Sequence, residues 1–354
     1  MKENLLQNIR FVDIMKTRIK REMKLSNNQI RSITTGAVYI EEKESGLKFH
    51  RFSKGQEEYL SKPHKYFSEE FFCSKFGACY FGLVAQETAG VSFDFYTNAE
   101  EVKIEIGELI IPTTHKIQNF DVYINNRFLK SFEADKDILF LLSGGKKRVT
   151  VYFPWGNSAI IKSVTLKNAT VLIPAYQGTD VLCIGDSITQ GANSAYPSIT
   201  WVTVMARKLG VSVINQGVCG FVNDENLVEK VCEPKAVITA FGINDYYRKT
   251  NEQLGQEADA FIKKVRSCYP NSKLFSILPL WSFLNAQSVD WGEDKRAILK
   301  AVYEKNDVHI IDGFKMMPHN IKYIEDGILH PNAEGFRYYG NRVAKVMEEK
   351  FLKN

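Results

Sequence analysis

Four short segments of the chain carry side chains that could support acyl transfer. A serine hydroxyl attacks a carbonyl carbon when a base takes its proton, and the negative oxygen that then forms needs N–H donors. Ser187 could supply a hydroxyl and a backbone N–H, Gly220 an unobstructed backbone N–H, and Asn244 a side-chain amide. His330 could act as the base. The segments are GDSIT (185–189), GVCG (217–220), GIND (242–245) and DGILHPN (326–332).

Hydrophobic runs in the second half of the chain predict the sheet that positions these residues. Continuous apolar runs that alternate with helical patterns are typical of strands buried on both faces, and so of a parallel sheet flanked by helices. Ligands of such sheets bind at the carboxyl ends of the strands. Ser187, Gly220 and Asn244 are therefore expected at one sheet edge, and His330 is the one histidine at a matching position. The runs are 181–184, 211–214, 236–241, 274–278 and 308–311.

The first half of the chain has a different pattern. From about Ala37 to Leu166, apolar and polar residues alternate with a period of two, which predicts many short, half-buried strands. Turn residues separate them, as in the pairs 125–126 (Asn-Asn) and 144–145 (Gly-Gly), which suit the positive φ angles of tight hairpins. Short strands with close turns favour an all-β sandwich, with a jelly roll as the expected topology.

The four segments resemble, in order and spacing, the conserved blocks of the SGNH (GDSL-like) hydrolase superfamily. The likeness covers roughly residues 179–354. It implies a flavodoxin-like, three-layer αβα domain with serine esterase activity. It also implies that Ser187 is the nucleophile and His330 the general base. The oxyanion donors would be the backbone N–H groups of Ser187 and Gly220 and the side chain of Asn244.

Asp326 is the residue where the sequence departs from this family. The family's aspartate stands three residues before the histidine, but Gly327 holds that place here and Asp326 lies four residues before His330. A one-residue bulge would let Asp326 orient the imidazole as a third catalytic residue does. Without the bulge, a backbone carbonyl would orient the ring in a Ser-His dyad. The sequence leaves both alternatives open.

The arrangement of the whole chain resembles a group of two-domain carbohydrate esterases. We expect a helical segment at residues 1–34, a jelly-roll-like sandwich at 35–175 and a catalytic domain at 176–354. In the second carbohydrate esterase family a jelly roll precedes the catalytic domain in this order. The resemblance implies hydrolysis of short acetyl esters, with O-acetyl groups on carbohydrates as the expected substrate, through an acyl-enzyme. The alternatives are a lipase or thioesterase for longer acyl groups and a non-catalytic carbohydrate-binding protein.

Two further residues are candidates for substrate binding. Trp281, beyond the fourth predicted strand, could line the substrate pocket or pack inside the domain. Asp186, beside the serine, could contact substrate, although a turn residue that binds local backbone is the commoner role for an aspartate there.

Composition sets the remaining expectations. The 354 residues include 44% hydrophobic and 25% charged residues with a net charge of +5, which requires neither nucleic acid nor a membrane surface as partner. The first residues lack the apolar core of a secretory signal, so a cytoplasmic protein with free thiols is expected, although Cys73 and Cys79 could pair in a secreted one. No cofactor or metal is expected, and assembly into a homo-oligomer stays open.

Overall fold

A computed structural model of the protein describes residues 21–67, 79–113, 118–288 and 290–352. Two β-rich layers form its first part, and one parallel sheet with helices forms its second part. The prediction of an all-β region followed by an α/β region is thus confirmed.

The first part is a sandwich of two antiparallel sheets. One sheet has the order β3-β4-β11-β6-β9, with β1 also paired to β11. The other has the order β12-β5-β10-β7-β8, with β2 also paired to β5. The strands are β1 (Glu22–Lys24), β2 (Thr34–Thr35), β3 (Tyr39–Lys43), β4 (Gly46–His50), β5 (Ser92–Thr97), β6 (Glu101–Ile110), β7 (Asn119–Ile124), β8 (Arg127–Glu133), β9 (Ile138–Leu141), β10 (Lys147–Tyr152), β11 (Ser158–Lys167) and β12 (Leu172–Pro174). Helices α1 (Asn27–Ile33), α2 (Lys54–Leu60) and α3 (Tyr80–Ala85) accompany them.

The alternation of apolar and polar residues explains which side chains lie on the inner faces of this sandwich. Phe93 and Phe95 on β5 and Val102 on β6 point into one core and are fully buried. The predicted hairpin turn after β7 is present, because Asn125 and Asn126 both have positive φ angles, 50° and 63°. The jelly-roll topology stays a prediction.

One outer face of the sandwich is less exposed than its pattern predicts. Asp94 on β5 is only 5% exposed, and Arg148 from β10 donates two hydrogen bonds of 2.8 Å to its carboxylate. Tyr152, also on β10, lies beside Arg207 of the α/β region. This face is buried because it packs against a helix of the second domain. A two-residue alternation within one strand does not predict contacts with another domain.

The predicted helical segment at residues 1–34 needs a correction. Within its described part, Glu22–Lys24 is a strand that pairs with β11, and only Asn27–Ile33 is helical. Ile30 and Ile33 pack into the sandwich core. A three-residue strand is too short to show a period, so no sequence pattern indicates this pairing. The Cys73–Cys79 pair considered above includes Cys73, which lies outside the described residues.

The second part holds a five-stranded parallel sheet in the order β14-β13-β15-β16-β17. Apolar residues cover both of its faces and form two separate clusters, as the continuous runs predict. This is the flavodoxin-like strand order. Successive strands are added on one side of β13 and then on the other, which leaves a crevice between β13 and β15. The strands are β13 (Val181–Gly185), β14 (Val213–Gly217), β15 (Ala236–Ala240), β16 (Lys273–Ile277) and β17 (His309–Ile311).

Helices flank this sheet on both faces. Leu254 and Phe261 of α7 and Leu299 of α9 pack on one face. Trp201 of α5 and Phe336 of α10 pack on the other, where Trp201 is fully buried and stacks on Tyr339, as expected of a core residue. The helices are α4 (Ser187–Gln190), α5 (Trp201–Leu209), α6 (Ile243–Arg248), α7 (Asn251–Cys268), α8 (Phe283–Gln287), α9 (Glu293–Lys305) and α10 (Ala333–Met347). None of the helices among the described residues is long and apolar enough to cross a membrane.

Candidate active site

Ser187, His330 and Asp326 form a continuous chain of hydrogen bonds at the carboxyl edge of the parallel sheet. The Oγ atom of Ser187 lies 2.8 Å from Nε2 of His330. The Nδ1 atom of the same ring lies 2.6 Å from Oδ2 of Asp326. Because the carboxylate of Asp326 accepts a hydrogen bond from Nδ1–H, the proton of the neutral ring stays on Nδ1, and Nε2 is left as the acceptor that faces the serine hydroxyl. This is the arrangement of nucleophile, base and orienting carboxylate that a catalytic triad requires.

The turn after β13 holds the serine in place. Ser187 is the first residue of α4, and Asp186 caps the helix by accepting a 3.0 Å hydrogen bond from the N–H of Ile188. Asp186 is only 4% exposed, and its carboxylate caps this helix end. The expected role of a turn residue that binds local backbone is thus present, and a contact of Asp186 with substrate stays a prediction. Burial raises the pKa of Asp186 to about 7, against the lowering effect of the Ile188 hydrogen bond and of nearby His330.

Substituting Asp186 by asparagine should change how stability depends on pH. A carboxyl whose folded pKa is raised binds a proton more tightly in the folded than in the unfolded chain, so wild-type stability falls as pH rises from about 4 to the folded pKa. Asparagine can still accept from Ile188 but does not titrate. The unfolding free energy of the Asp186→Asn variant minus that of wild type should be larger at pH 8 than at pH 4, by up to about 4 kcal/mol. Urea unfolding at the two pH values measures this difference.

A glycine loop, residues 217–220, approaches the serine from the neighbouring strand. Gly217 pairs with Gly185 at the ends of β14 and β13. A Cβ atom on Gly217 would collide with the backbone nitrogen of Gln190, so α4 can pack here only against glycine. Gly220 has a φ of +82°, and among the described residues only Phe81 comes within 4 Å of where its Cβ would be. The backbone at Gly220 is thus open on the side where a Cβ would stand, and its role as an oxyanion donor stays a prediction.

Asn244 lies on the other side of Ser187, in the first turn of α6 after β15. Its Nδ2 donates a 3.0 Å hydrogen bond to the carbonyl of Phe221, directly after the glycine loop. The next residue, Asp245, is fully buried, accepts from the N–H of Asn223 and pairs with Lys249 at 2.8 Å. Asp245 thus holds the loop that contains Asn223 in place. Asn244 and Gly220 are brought to the same edge of the sheet as the serine.

The loop that carries Asp326 shows how a four-residue spacing reaches the histidine. One carboxylate oxygen, Oδ1, accepts from the N–H groups of Ile328, Leu329 and His330 at 2.9, 2.8 and 3.1 Å. Gly327 adopts a left-handed φ of +71° that lets the chain fold back over this oxygen. The extra residue is therefore absorbed in a tight loop, and the dyad alternative, in which a backbone carbonyl faces Nδ1, is not the observed arrangement.

The same contacts determine the charge of Asp326. Burial alone would raise its pKa, but the hydrogen bonds from His330, Leu329 and Ile328 outweigh burial and hold the pKa well below its usual range. Asp326 therefore stays ionised at any pH at which the enzyme is expected to work, and it stabilises a positive charge on the imidazole.

Gly327 should tolerate few substitutions. A left-handed conformation costs a residue with a Cβ about 1–2 kcal/mol, whereas asparagine adopts it more readily. Space is not the constraint, because no atom of the described residues lies within 4 Å of where a Cβ at this position would stand. Gly327→Ala should lower kcat severalfold by loosening the Asp326 contact, with Gly327→Asn closer to wild type, measured on a chromogenic acetate ester. Equal activity of the alanine variant and wild type would show that this φ is not needed.

Trp281 packs within the domain. It is 9% exposed and its ring stacks on His319 at a centroid distance of 5.2 Å. Of its two predicted roles, the packing role is therefore the one observed. No cluster of three or more histidine, cysteine or carboxylate ligands for a metal ion occurs within the described parts of the chain.

Three buried residues near the site were not predicted. Arg51 and Glu87 come from the sandwich, and Gln190 ends α4. Gln190 directly follows the GDSIT segment (185–189), but nothing in the sequence indicates which residues its side chain contacts. Arg51 and Glu87 lack any motif, and only their full burial in the folded chain reveals them.

Comparison with known proteins finds a family match within the second domain. Residues 183–338 match the model of the GDSL-like lipase/acylhydrolase family. No curated protein sequence matches the chain.

Solved structures share the two-part architecture over nearly the whole chain. A salicylyl-acyltransferase from a tetracycline biosynthetic pathway has a TM-score of 0.71 at 16% identity, covering 95% of this chain and 98% of its own. An acetyl xylan esterase from the rumen bacterium Butyrivibrio proteoclasticus has a TM-score of 0.59 at 15% identity, with coverages of 94% and 98%. A family two carbohydrate esterase from Cellvibrio japonicus has a TM-score of 0.60 at 13% identity, with coverages of 93% and 97%. At these identities the likeness shows the fold.

Proposed function

We propose that the protein is a serine esterase that acts on short-chain acyl esters through an acyl-enzyme, because residues 183–338 match the model of the GDSL-like lipase/acylhydrolase family. The observation that carries the proposal is the chain from Ser187 Oγ to His330 Nε2 to Asp326 Oδ2, at 2.8 and 2.6 Å. A serine with only a structural role has no need of a carboxylate-oriented imidazole at its hydroxyl.

In the first half of the proposed reaction, Ser187 becomes acylated. Nε2 of His330 takes the hydroxyl proton as Oγ bonds to the ester carbonyl carbon, and the carbonyl oxygen becomes an oxyanion. The N–H groups of Ser187 and Gly220 and the amide of Asn244 would donate to this oxyanion. The imidazolium then gives its proton to the alcohol oxygen, the ester C–O bond breaks and the alcohol leaves.

In the second half, water releases the acyl group. His330 takes a proton from water, the hydroxide oxygen bonds to the acyl carbon, and the same donors hold the second oxyanion. Collapse breaks the bond to Oγ, which recovers its proton from the imidazolium, and the carboxylic acid leaves. Asp326 stays ionised throughout and stabilises the imidazolium in both halves.

We propose O-acetyl groups on carbohydrates as the substrate. The support is the two-domain arrangement, a β-sandwich before the catalytic domain, shared over nearly the whole chain with an acetyl xylan esterase and with a family two carbohydrate esterase. The salicylyl-acyltransferase shares the same arrangement. An acyl-enzyme attacked by an alcohol in place of water would give acyl transfer, so transfer is the competing outcome to be tested.

A substrate series tests the proposal. Initial rates on acetylated xylo- and manno-oligosaccharides should exceed those on long-chain acyl esters, and release of free acetate should match loss of ester. A preference for long acyl chains would contradict the acetyl substrate and favour the lipase or thioesterase alternative. Transfer of the acetyl group to an added sugar alcohol at the expense of acetate would instead indicate an acyltransferase.

A further inference from the structure

A chain of buried hydrogen bonds connects the sandwich to the glycine loop. It begins at Glu87, between α3 and β5, whose side chain is fully buried. Thr113 donates a 3.0 Å hydrogen bond to Oε1 of Glu87, and Nε2 of Gln190 donates to Oε2. Gln190 is itself fully buried at the end of α4, three residues after Ser187. A carboxylate of the first domain thus contacts the helix that carries the serine.

Gln190 connects Glu87 to the glycine loop. Its Oε1 accepts a 2.8 Å hydrogen bond from the N–H of Cys219, the residue directly before Gly220. Only one orientation of the Gln190 amide satisfies both neighbours, because a carboxylate can only accept a hydrogen bond and a backbone N–H can only donate one. Glu87 therefore sets which end of the amide faces Cys219.

Arg51 holds the other end of the same loop. Its guanidinium is fully buried and donates to the carbonyls of Asn215 and Gly217 at 2.7 and 3.0 Å. Its Nε donates to the backbone carbonyl of Glu87 at 2.6 Å. Arg51 thus holds the loop directly at Gly217, and Glu87 holds it at Cys219 through Gln190.

We propose that Glu87 is a positioning residue that fixes the direction of the Gly220 N–H through Gln190 and Cys219. The inference rests on the proposed function, in which that N–H donates to the oxyanion. A hydrogen bond on the N–H of Cys219 sets the orientation of the backbone immediately before the Gly220 N–H. The sandwich then forms part of the catalytic apparatus, and it is more than a separate sugar-binding module.

Glu87→Gln tests this most simply. The new amide turns its NH₂ group either to Gln190, whose amide then inverts and leaves the Cys219 N–H without its acceptor, or to the Thr113 hydroxyl, which can accept it. The first arrangement breaks the link to the glycine loop. Removing an oxyanion donor lowers kcat about 10²–10³-fold, so displacing one should lower kcat about tenfold or more. KM should stay within about twofold of wild type, because the ester's ground state does not depend on this donor.

Asp121→Asn provides a matched control. Asp121 is also a fully buried carboxylate of the sandwich that crosses to the second domain, where it accepts from the N–H and hydroxyl of Ser198. The contact leads to the segment before α5 and not to the glycine loop. Asp121→Asn should cost stability, seen in thermal unfolding, yet leave kcat near wild type. An equal fall in kcat in both variants would overturn the proposal, because any damage to the domain contact would then suffice.

The double variant Glu87→Gln/Gln190→Glu separates positioning from general damage. The exchanged carboxylate at position 190 can accept from both Cys219 and the new amide at position 87, while that amide's oxygen still accepts from Thr113. It should recover most of the kcat that Glu87→Gln loses, and a double variant no better than the single one would contradict the proposed direction of the hydrogen bonds.

Two further measurements keep the test decisive. Gln190→Met removes the same link in either arrangement of the Glu87→Gln amide and carries the same expectation for kcat. Full activity in folded Gln190→Met enzyme, alongside an inactive Ser187→Ala variant, would overturn this inference and leave the proposed function standing. Full activity in Ser187→Ala would overturn the proposed function itself.

Discussion

Replacing Ser187 by alanine is expected to abolish ester hydrolysis. The variant lacks the oxygen that His330 would activate, since Nε2 of the ring lies 2.8 Å from Ser187 Oγ. Loss of a triad serine lowers kcat on the order of a thousandfold or more, and what remains comes from substrate binding and the oxyanion donors. The measurement is kcat on p-nitrophenyl acetate, with thermal unfolding to show that the variant is folded.

A second serine serves as the control for this experiment. Ser212 is 4% exposed and precedes β14, at the opposite edge of the parallel sheet from Ser187. Ser212→Ala should keep wild-type kcat, because its hydroxyl bonds to the Gly178 carbonyl and to Asp180, away from the triad. Unchanged turnover in Ser187→Ala would remove this serine from the mechanism.

Replacing Asp326 by asparagine should have the second largest effect. Asparagine keeps an oxygen for the N–H groups of the loop, but its NH₂ group would face Nδ1 of His330. The ring would then carry its proton on Nε2 and donate to Ser187, so it could not take the serine's proton. We expect kcat on p-nitrophenyl acetate to fall about a hundredfold to ten-thousandfold with little change in KM.

The pH dependence of stability gives this variant a second readout. Hydrogen bonds lower the folded pKa of Asp326 despite its partial burial, so the stabilisation from its ionised form is present above the unfolded pKa of about 4. That stabilisation is lost as the pH falls through the folded pKa. The stability difference between wild type and Asp326→Asn should therefore shrink below about pH 4. Glu325→Gln, at the exposed neighbouring carboxylate, should match wild type in kcat.

Local sequence patterns predicted the elements around the site well. The apolar run at 181–184 matches β13 (Val181–Gly185). Asp186 then caps the next helix, and Ser187 is the first residue of that helix. The placement of Gly220 and Asn244 could be predicted because carboxyl ends of adjacent parallel strands meet at one edge. These predictions succeeded because each depends on residues within one strand and its loop.

Features that depend on contacts between distant parts of the chain could not be predicted. The short strand Glu22–Lys24 pairs with β11, far away in sequence, and is too brief to show a period. Glu87 and Gln190 meet only after the two domains pack. The reach of Asp326 to His330 depended on the backbone of Gly327, whose φ the sequence permits without requiring it. Each of these is set by tertiary structure.

Identification of the acylated residue tests the central claim most directly. The enzyme would be mixed with p-nitrophenyl acetate, quenched with acid within the first turnovers, digested and analysed by peptide mass spectrometry. The proposed mechanism predicts an acetyl group on Ser187 that disappears when the quench is delayed until substrate is exhausted. An acetyl group that turns over on a different residue, such as Cys219, or turnover without any acetylated peptide would contradict it.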